Sequence, residues 1–185
     1  MITVVSGNRN SGKSAYAEDL LSHTDGGKYY LATMRIRTDD DKNRVEKHKA
    51  SREGKGFITI EQDVAIVKAI DKIKWMESLL GGSEGEKSAV LECLPTLVAN
   101  EMFLESGEVV PYKDVCNTVL FGIAFLKEYF DNIIIVTDEE ANISYYSGLN
   151  ESELAKYDNA ESEYAEAMKD LNAAVKTYAD ELYCK

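Results

Sequence analysis

The chain is short of positive charge, of cysteine and of long apolar runs, and each shortage removes a class of function. No apolar stretch approaches the ~20 residues that a membrane helix needs, so no membrane span is expected. The N-terminus lacks a basic segment followed by an apolar stretch and a cleavage site. No secretory signal is therefore expected, and the cytoplasm is the expected compartment. Cys93, Cys116 and Cys184 are odd in number, far apart and form no C-x-x-C pair. Reduced thiols fit that pattern better than a zinc site. A net charge of −12 argues against a general nucleic-acid binder. The shortage of positive charge is also uneven. Residues 1–60 carry 11 Lys/Arg against 8 Asp/Glu, while the remainder balances to −15. All five arginines (Arg9, Arg35, Arg37, Arg44, Arg52) lie in the first 52 residues. Guanidinium forks suit phosphates better than ammoniums do. The clustering favours a polyphosphate site in the N-terminal third, with chance as the plain alternative.

What is present points the same way. Gly7-Asn8-Arg9-Asn10-Ser11-Gly12-Lys13-Ser14 fits G-x-x-x-x-G-K-[ST], a phosphate-binding loop. It follows the β-branched run Met1–Ser6, which reads as a buried strand, and precedes Ala15–Leu21, which reads as a helix. In that context the glycines let successive N–H groups point at phosphate oxygens, with a helix dipole behind them. Lys13 would reach the β- and γ-phosphates, and the Ser14 hydroxyl would ligate Mg²⁺. An ordinary Gly/Ser turn is the bland alternative, and the flanking strand and helix weigh against it. A nucleoside triphosphate, GTP or ATP, is the expected substrate.

Further along, Lys28–Thr33 reads as a second strand. Asp39-Asp40-Asp41 opens a helix carrying Arg44, Val45, His48 and Arg52 that Gly54 ends, the acids suiting the dipole. Phe57–Ile60 is a short strand. Val64, Val67, Ile70, Ile73, Met76 and Leu79 form a helical stripe over 63–80. Ser88–Glu92 and Asn132–Val136 read as strands, with a helix over 111–130 between them. The tail opens with an Asn150/Glu153 pair at capping-box spacing and repeats Tyr164, Met168, Leu171, Val175, Tyr178 and Leu182 at helical steps. Alternating strands and helices predict an α/β, P-loop NTPase-like (RecA-like) fold. One domain over 1–185 would hold a mostly parallel sheet flanked by helices, with the phosphate site at the carboxyl ends of the strands.

Two further elements could join the loop in one site. A strand-end acid could hold Mg²⁺: Glu92 is the first choice and Asp138 the second. His48 has Arg44 and Arg52 one turn to either side. Those cations would keep the imidazole neutral, with a lone pair for attack on phosphorus, and would offer forks to the phosphates. A solvated histidine on a charged helix is the alternative.

Taken together, these segments resemble the bifunctional adenosylcobinamide kinase/adenosylcobinamide-phosphate guanylyltransferases of cobalamin assembly. The resemblance rests on the phosphate loop, Tyr30-Leu31-Ala32-Thr33, and the R-x-x-x-H-x-x-x-R pattern of Arg44–Arg52. It also rests on Thr59-Ile60-Glu61 and on Val90–Asn100. It implies phosphorylation of adenosylcobinamide by GTP or ATP, then guanylylation of His48 by GTP and passage of GMP to the cobinamide phosphate. It places nucleotide contacts on Gly7 to Ser14, on Ala32, Thr33 and Met34, on Lys49, Ala50, Ser51 and Arg52, and on Glu61 and Glu92. It also implies a corrinoid substrate and a homotrimer. Departures are Glu53 for a proline, Phe57 for a tryptophan, and Glu92 for an aspartate. Residues 139–185 read as a diverged part of the same domain, with the family's G-x-x-x-V-P and R-x-x-x-D-x-x-G features eroded and Lys185 falling before its closing strand. That divergence leaves two alternatives: a P-loop regulatory or interaction protein, or a kinase of another small alcohol.

Overall fold

Helices separate successive strands from Ile2 onward, and every pairing within the sheet is parallel. The computed structural model describes residues 1–185 except 83–84, 141, 144–148, 150 and 155–158. Strands β1 (Ile2–Ser6), β2 (Gly27–Ala32), β3 (Phe57–Glu61), β4 (Lys87–Glu92), β5 (Asn132–Val136) and β6 (Glu181–Cys184) lie in the order β3-β2-β4-β5-β1-β6. Parallel neighbours cannot be joined by a tight turn, so helices carry the crossovers. These are α1 (Lys13–Ser22), α2 (Asp39–Ser51), α3 (Lys68–Leu80), α4 (Leu94–Met102), α5 (Tyr112–Tyr129) and α6 (Ala160–Tyr178), with a single turn at Glu151–Leu154. The P-loop NTPase-like α/β fold expected from the sequence is the fold observed.

Strand side chains alternate between faces, and the two faces are covered unequally. Ile2, Val4, Tyr29, Leu31, Ala89, Leu91, Ile133 and Ile135 join one large core with α3, α4, α5 and α6. Val5, Tyr30, Val90, Ile134 and Val136 meet only a small cluster centred on Ala17 and Leu21 of α1. The strands are apolar on both faces because both are covered. On α6, Tyr164, Met168, Leu171 and Val175 are buried, as the stripe predicts, whereas Tyr178 is exposed and Leu182 falls in β6, also exposed.

Four expectations are corrected. First, α3 begins at Lys68 rather than near Asp63. Ala65 adopts a left-handed φ of 47°, and its N–H donates to Glu101 Oε1 at 2.5 Å, which breaks the helical path. Of the stripe, Ile70 and Ile73 are buried, while Leu79 has turned to solvent. Second, α4 is a helix that the pattern did not reveal. Eight of its nine residues are buried, so no polar face marks a helical period. Third, the chain does carry a closing strand. In β6, Thr3 pairs with Glu181 and Ser6 with Cys184, and Asp180 Oδ2 accepts from the Ile2 N–H at 2.7 Å. Fourth, α2 stops at Ser51, with Arg52 as its cap. The start of α2 is a capping box between Thr38 and Asp41. The Asn150/Glu153 capping pair lies outside the described residues at Asn150, as does much of 141–157.

Candidate functional site

The phosphate loop leaves β1 and re-enters structure at α1. Gly12 holds a left-handed φ of 87° there, a conformation that a side chain would strain. Two cavities open beside it, at the carboxyl ends of the strands. One, of about 410 Å³, is lined by Arg9, Asn10, Gly12, Lys13, Ser14, Glu18, Ser51 and Asp138, among others. The second, of about 480 Å³, is lined by Ala32, Met34, Arg35, Lys49, Arg52, Glu61 and Asp63, among others. Arg44, His48, Glu92 and Cys93 line both. The histidine helix therefore forms part of the wall of both the cavity at the phosphate loop and the cavity at the mouth of β2 and β3.

The two strand-end acids divide between two loop side chains. Ser14 Oγ donates to Glu92 Oε1 at 2.7 Å. Lys13 Nζ donates to Asn8 O at 3.0 Å and pairs with Asp138 Oδ1 at 2.5 Å. Glu92 Oε2 is buried with no hydrogen-bond partner among the described residues. Burial pushes the Glu92 carboxyl up to about 7, with Glu18 and Asp138 adding to the rise while the Ser14 hydroxyl and Lys13 oppose it. A buried carboxylate with one orphaned oxygen, bonded to the loop serine, is a donor set that a hard divalent cation such as Mg²⁺ fits.

Around His48 the structure revises the electrostatic argument. Its pKa is lowered, first by burial and then by Arg52, Arg44 and Lys47, while Glu18 pulls it back up. The ring is neutral chiefly because it is half-buried, and the cations act second. Arg52, which lines the second cavity, is engaged by protein groups in this structure. Its guanidinium lies 3.5 Å from the Tyr30 ring centroid, donates to Thr59 Oγ1 at 3.3 Å and pairs with Glu18 Oε1 at 3.5 Å.

Glu18 gave no signal in the sequence. It is 1% exposed and also faces Ser51 Oγ at 3.2 Å and Lys55 Nζ at 3.6 Å. It therefore ties α1, which carries the phosphate loop, to the end of α2. Truncating one partner of a buried ion pair strands the other charge. Glu18→Ala should accordingly lose about 3 kcal/mol, read as a lower midpoint in urea, and Glu18→Leu/Arg52→Met should recover most of it.

The remaining expected contacts fall into three groups. Thr33 is fully buried, lines neither cavity and accepts from the Cys93 N–H at 2.9 Å, so its hydroxyl locks β2 to β4. Asn100, also buried, donates to Thr33 O at 2.8 Å and Asp63 O at 3.1 Å and holds the same corner. Lys49 reaches Glu61 Oε1 at 2.9 Å on the rim of the second cavity. Gly7, Asn8 and Ser11 line neither of these two cavities, and Ala50 faces a separate shallow surface beside Gly54 and Gly56. Among the described residues, no helix is long and apolar enough to cross a membrane.

Comparison with known proteins adds the family. The model of CobU, described as cobinamide kinase / cobinamide phosphate guanyltransferase, matches residues 3–184. No curated protein matches the chain. The family match runs through the tail that the sequence marks as diverged, and β6 lies inside it. With a phosphate loop on β1, an acid at the end of β4 and a histidine helix beside both, the chain belongs to the cobinamide kinase / cobinamide phosphate guanyltransferase family of bifunctional kinases and guanylyltransferases.

Proposed function

We propose that this chain phosphorylates adenosylcobinamide with GTP or ATP and then transfers GMP from GTP to the cobinamide phosphate through a guanylylated His48. The observation that carries the second half is the position of His48 in the wall of both cavities. Cys93 shares that position, but burial and Glu92 push its thiol up to about 12, so little thiolate forms. His48, held neutral, is the nucleophile of the pair. Its ring nitrogen attacks the α-phosphorus of GTP, the P–O bond to pyrophosphate breaks, and a phosphoramidate to GMP forms. The phosphate of cobinamide phosphate then displaces the histidine.

In the kinase half, Lys13 and the loop N–H groups hold the triphosphate, while Ser14 and Glu92 would hold Mg²⁺. Bound there, the ion neutralises charge on the β- and γ-phosphates. The cavity beside Ala32, Met34 and Glu61 would take the base. A homotrimer is part of the same reading and is checked by analytical ultracentrifugation.

The test follows both steps with adenosylcobinamide, Mg²⁺ and doubly labelled GTP. The γ-label should appear in cobinamide phosphate and the α-label in the guanylylated corrinoid. If the protein binds GTP but leaves adenosylcobinamide unlabelled, the corrinoid assignment fails, and a kinase of another alcohol or a regulatory nucleotide-binding protein takes its place.

A further inference from the structure

Asp138 sits where a phosphoryl acceptor would need a base. It follows β5 and is 2% exposed. It lines the same cavity as Gly12, Lys13 and Ser14, and its carboxylate is paired with the Lys13 ammonium at 2.5 Å. Its backbone is held from the far side of the sheet. Asn172 of α6 donates to Asp138 O at 2.9 Å and accepts from Thr137 Oγ1 at 2.7 Å. A phosphate-loop lysine reaches the β- and γ-phosphates of a bound triphosphate. A carboxylate in contact with that ammonium is therefore one side-chain head away from the transferred phosphorus. The other strand-end acid, Glu92, faces the hydroxyl of Ser14 rather than Lys13, and its remaining oxygen suits the cation.

From this geometry we infer that Asp138 is the general base of the kinase step, held by Lys13 until nucleotide binds and released when Lys13 moves onto the phosphates. The inference rests on the kinase half of the function proposed above. The acceptor oxygen attacks the γ-phosphorus, and its proton passes to Asp138 Oδ. The new O–P bond forms as the bond from γ-phosphorus to the bridging oxygen breaks. That electron pair leaves on the nucleoside diphosphate, and Asp138 returns its proton to solvent as the products depart. Guanylylation of His48 needs no such base, because a neutral ring nitrogen and a phosphate dianion are both already nucleophilic.

The two half-reactions therefore separate a base from a structural partner of Lys13. Asp138→Asn should lower kcat for adenosylcobinamide phosphorylation by about 100-fold or more, the contribution expected of a general base. Its KM for the nucleotide should stay within about threefold, and its rate of His48 labelling by α-labelled GTP should stay within about threefold, since no proton transfer is removed from that step. Removing the carboxylate that competes for Lys13 should leave nucleotide affinity equal or tighter. In Asp138→Ala, added formate should restore part of the kinase activity, a rescue that a scaffolding role would not show. Kinase activity retained by Asp138→Asn overturns the assignment. So does equal loss of both half-reactions, which would make Asp138 a positioning residue for Lys13. Absence of cobinamide phosphorylation by the unmodified protein overturns the proposed kinase function and this assignment together, and is told apart from the other outcomes by that control alone.

Discussion

His48→Ala should abolish covalent labelling of the protein by α-labelled GTP while leaving nucleotide binding within about threefold of wild type, because the phosphate loop is untouched. In the wild type the label should survive base and leave in acid, as a phosphoramidate does and a serine phosphate ester does not. His23 is the control. Its side chain is 83% exposed beside Asp19, outside both cavities, so His23→Ala should label normally. The pH profile adds a second reading. The proton-free ring is the nucleophile, and the lowered pKa of His48 means that this form persists below the ordinary histidine midpoint of about 6.5. Labelling should therefore fall with a midpoint below 6.5. A profile with its midpoint at or above 6.5 would mean that the ring is better solvated than its half-buried setting implies. Wild-type protein that binds GTP and never acquires the label would remove His48 from the mechanism.

Lys13→Ala should remove most of the thermal stabilisation that nucleotide confers. At a hundredfold excess over Kd, a ligand adds about 2.7 kcal/mol, which for a chain of this size corresponds to roughly 5–10 °C. Truncating a buried ammonium that contacts phosphate costs about 2–5 kcal/mol, enough to remove most of the shift at the same concentration of Mg-GTP. The variant should also start from a lower melting temperature. Asp138 is 2% exposed and loses the ammonium 2.5 Å from its carboxylate. The two effects separate in Lys13→Ala/Asp138→Asn, which should regain the ligand-free stability and still show only a small response to nucleotide. A full nucleotide shift in Lys13→Ala would place the nucleotide elsewhere.

The local features were legible because their signals are local. A β-branched run, a glycine-framed loop and a helix start are consecutive in residues 1–21, and β1, the loop and α1 follow that order in the structure. The helix carrying His48 and Arg44 was readable from its acidic start and its spacing, and α5 from the stripe Val115, Val119, Ile123, Leu126 and Phe130, all buried. The helix α4 was hidden by its own burial, since a helix apolar on every side has no period to detect. The late start of α3 was hidden because Glu101, 36 residues on, takes the Ala65 N–H.

The sequence by itself determined a parallel α/β sheet of the P-loop type, and which loop, acids and histidine would be available at its strand ends. Only the tertiary structure decided what each group faces. It set Arg52 against Glu18 and Tyr30, and assigned Glu92 to Ser14 and Asp138 to Lys13. It also made burial, ahead of neighbouring charge, the main cause of the neutral His48 ring. The physical reason is that desolvation and ion pairing depend on atoms brought together from distant segments. Lys13 and Asp138 are 125 residues apart and meet only because β5 pairs beside β1.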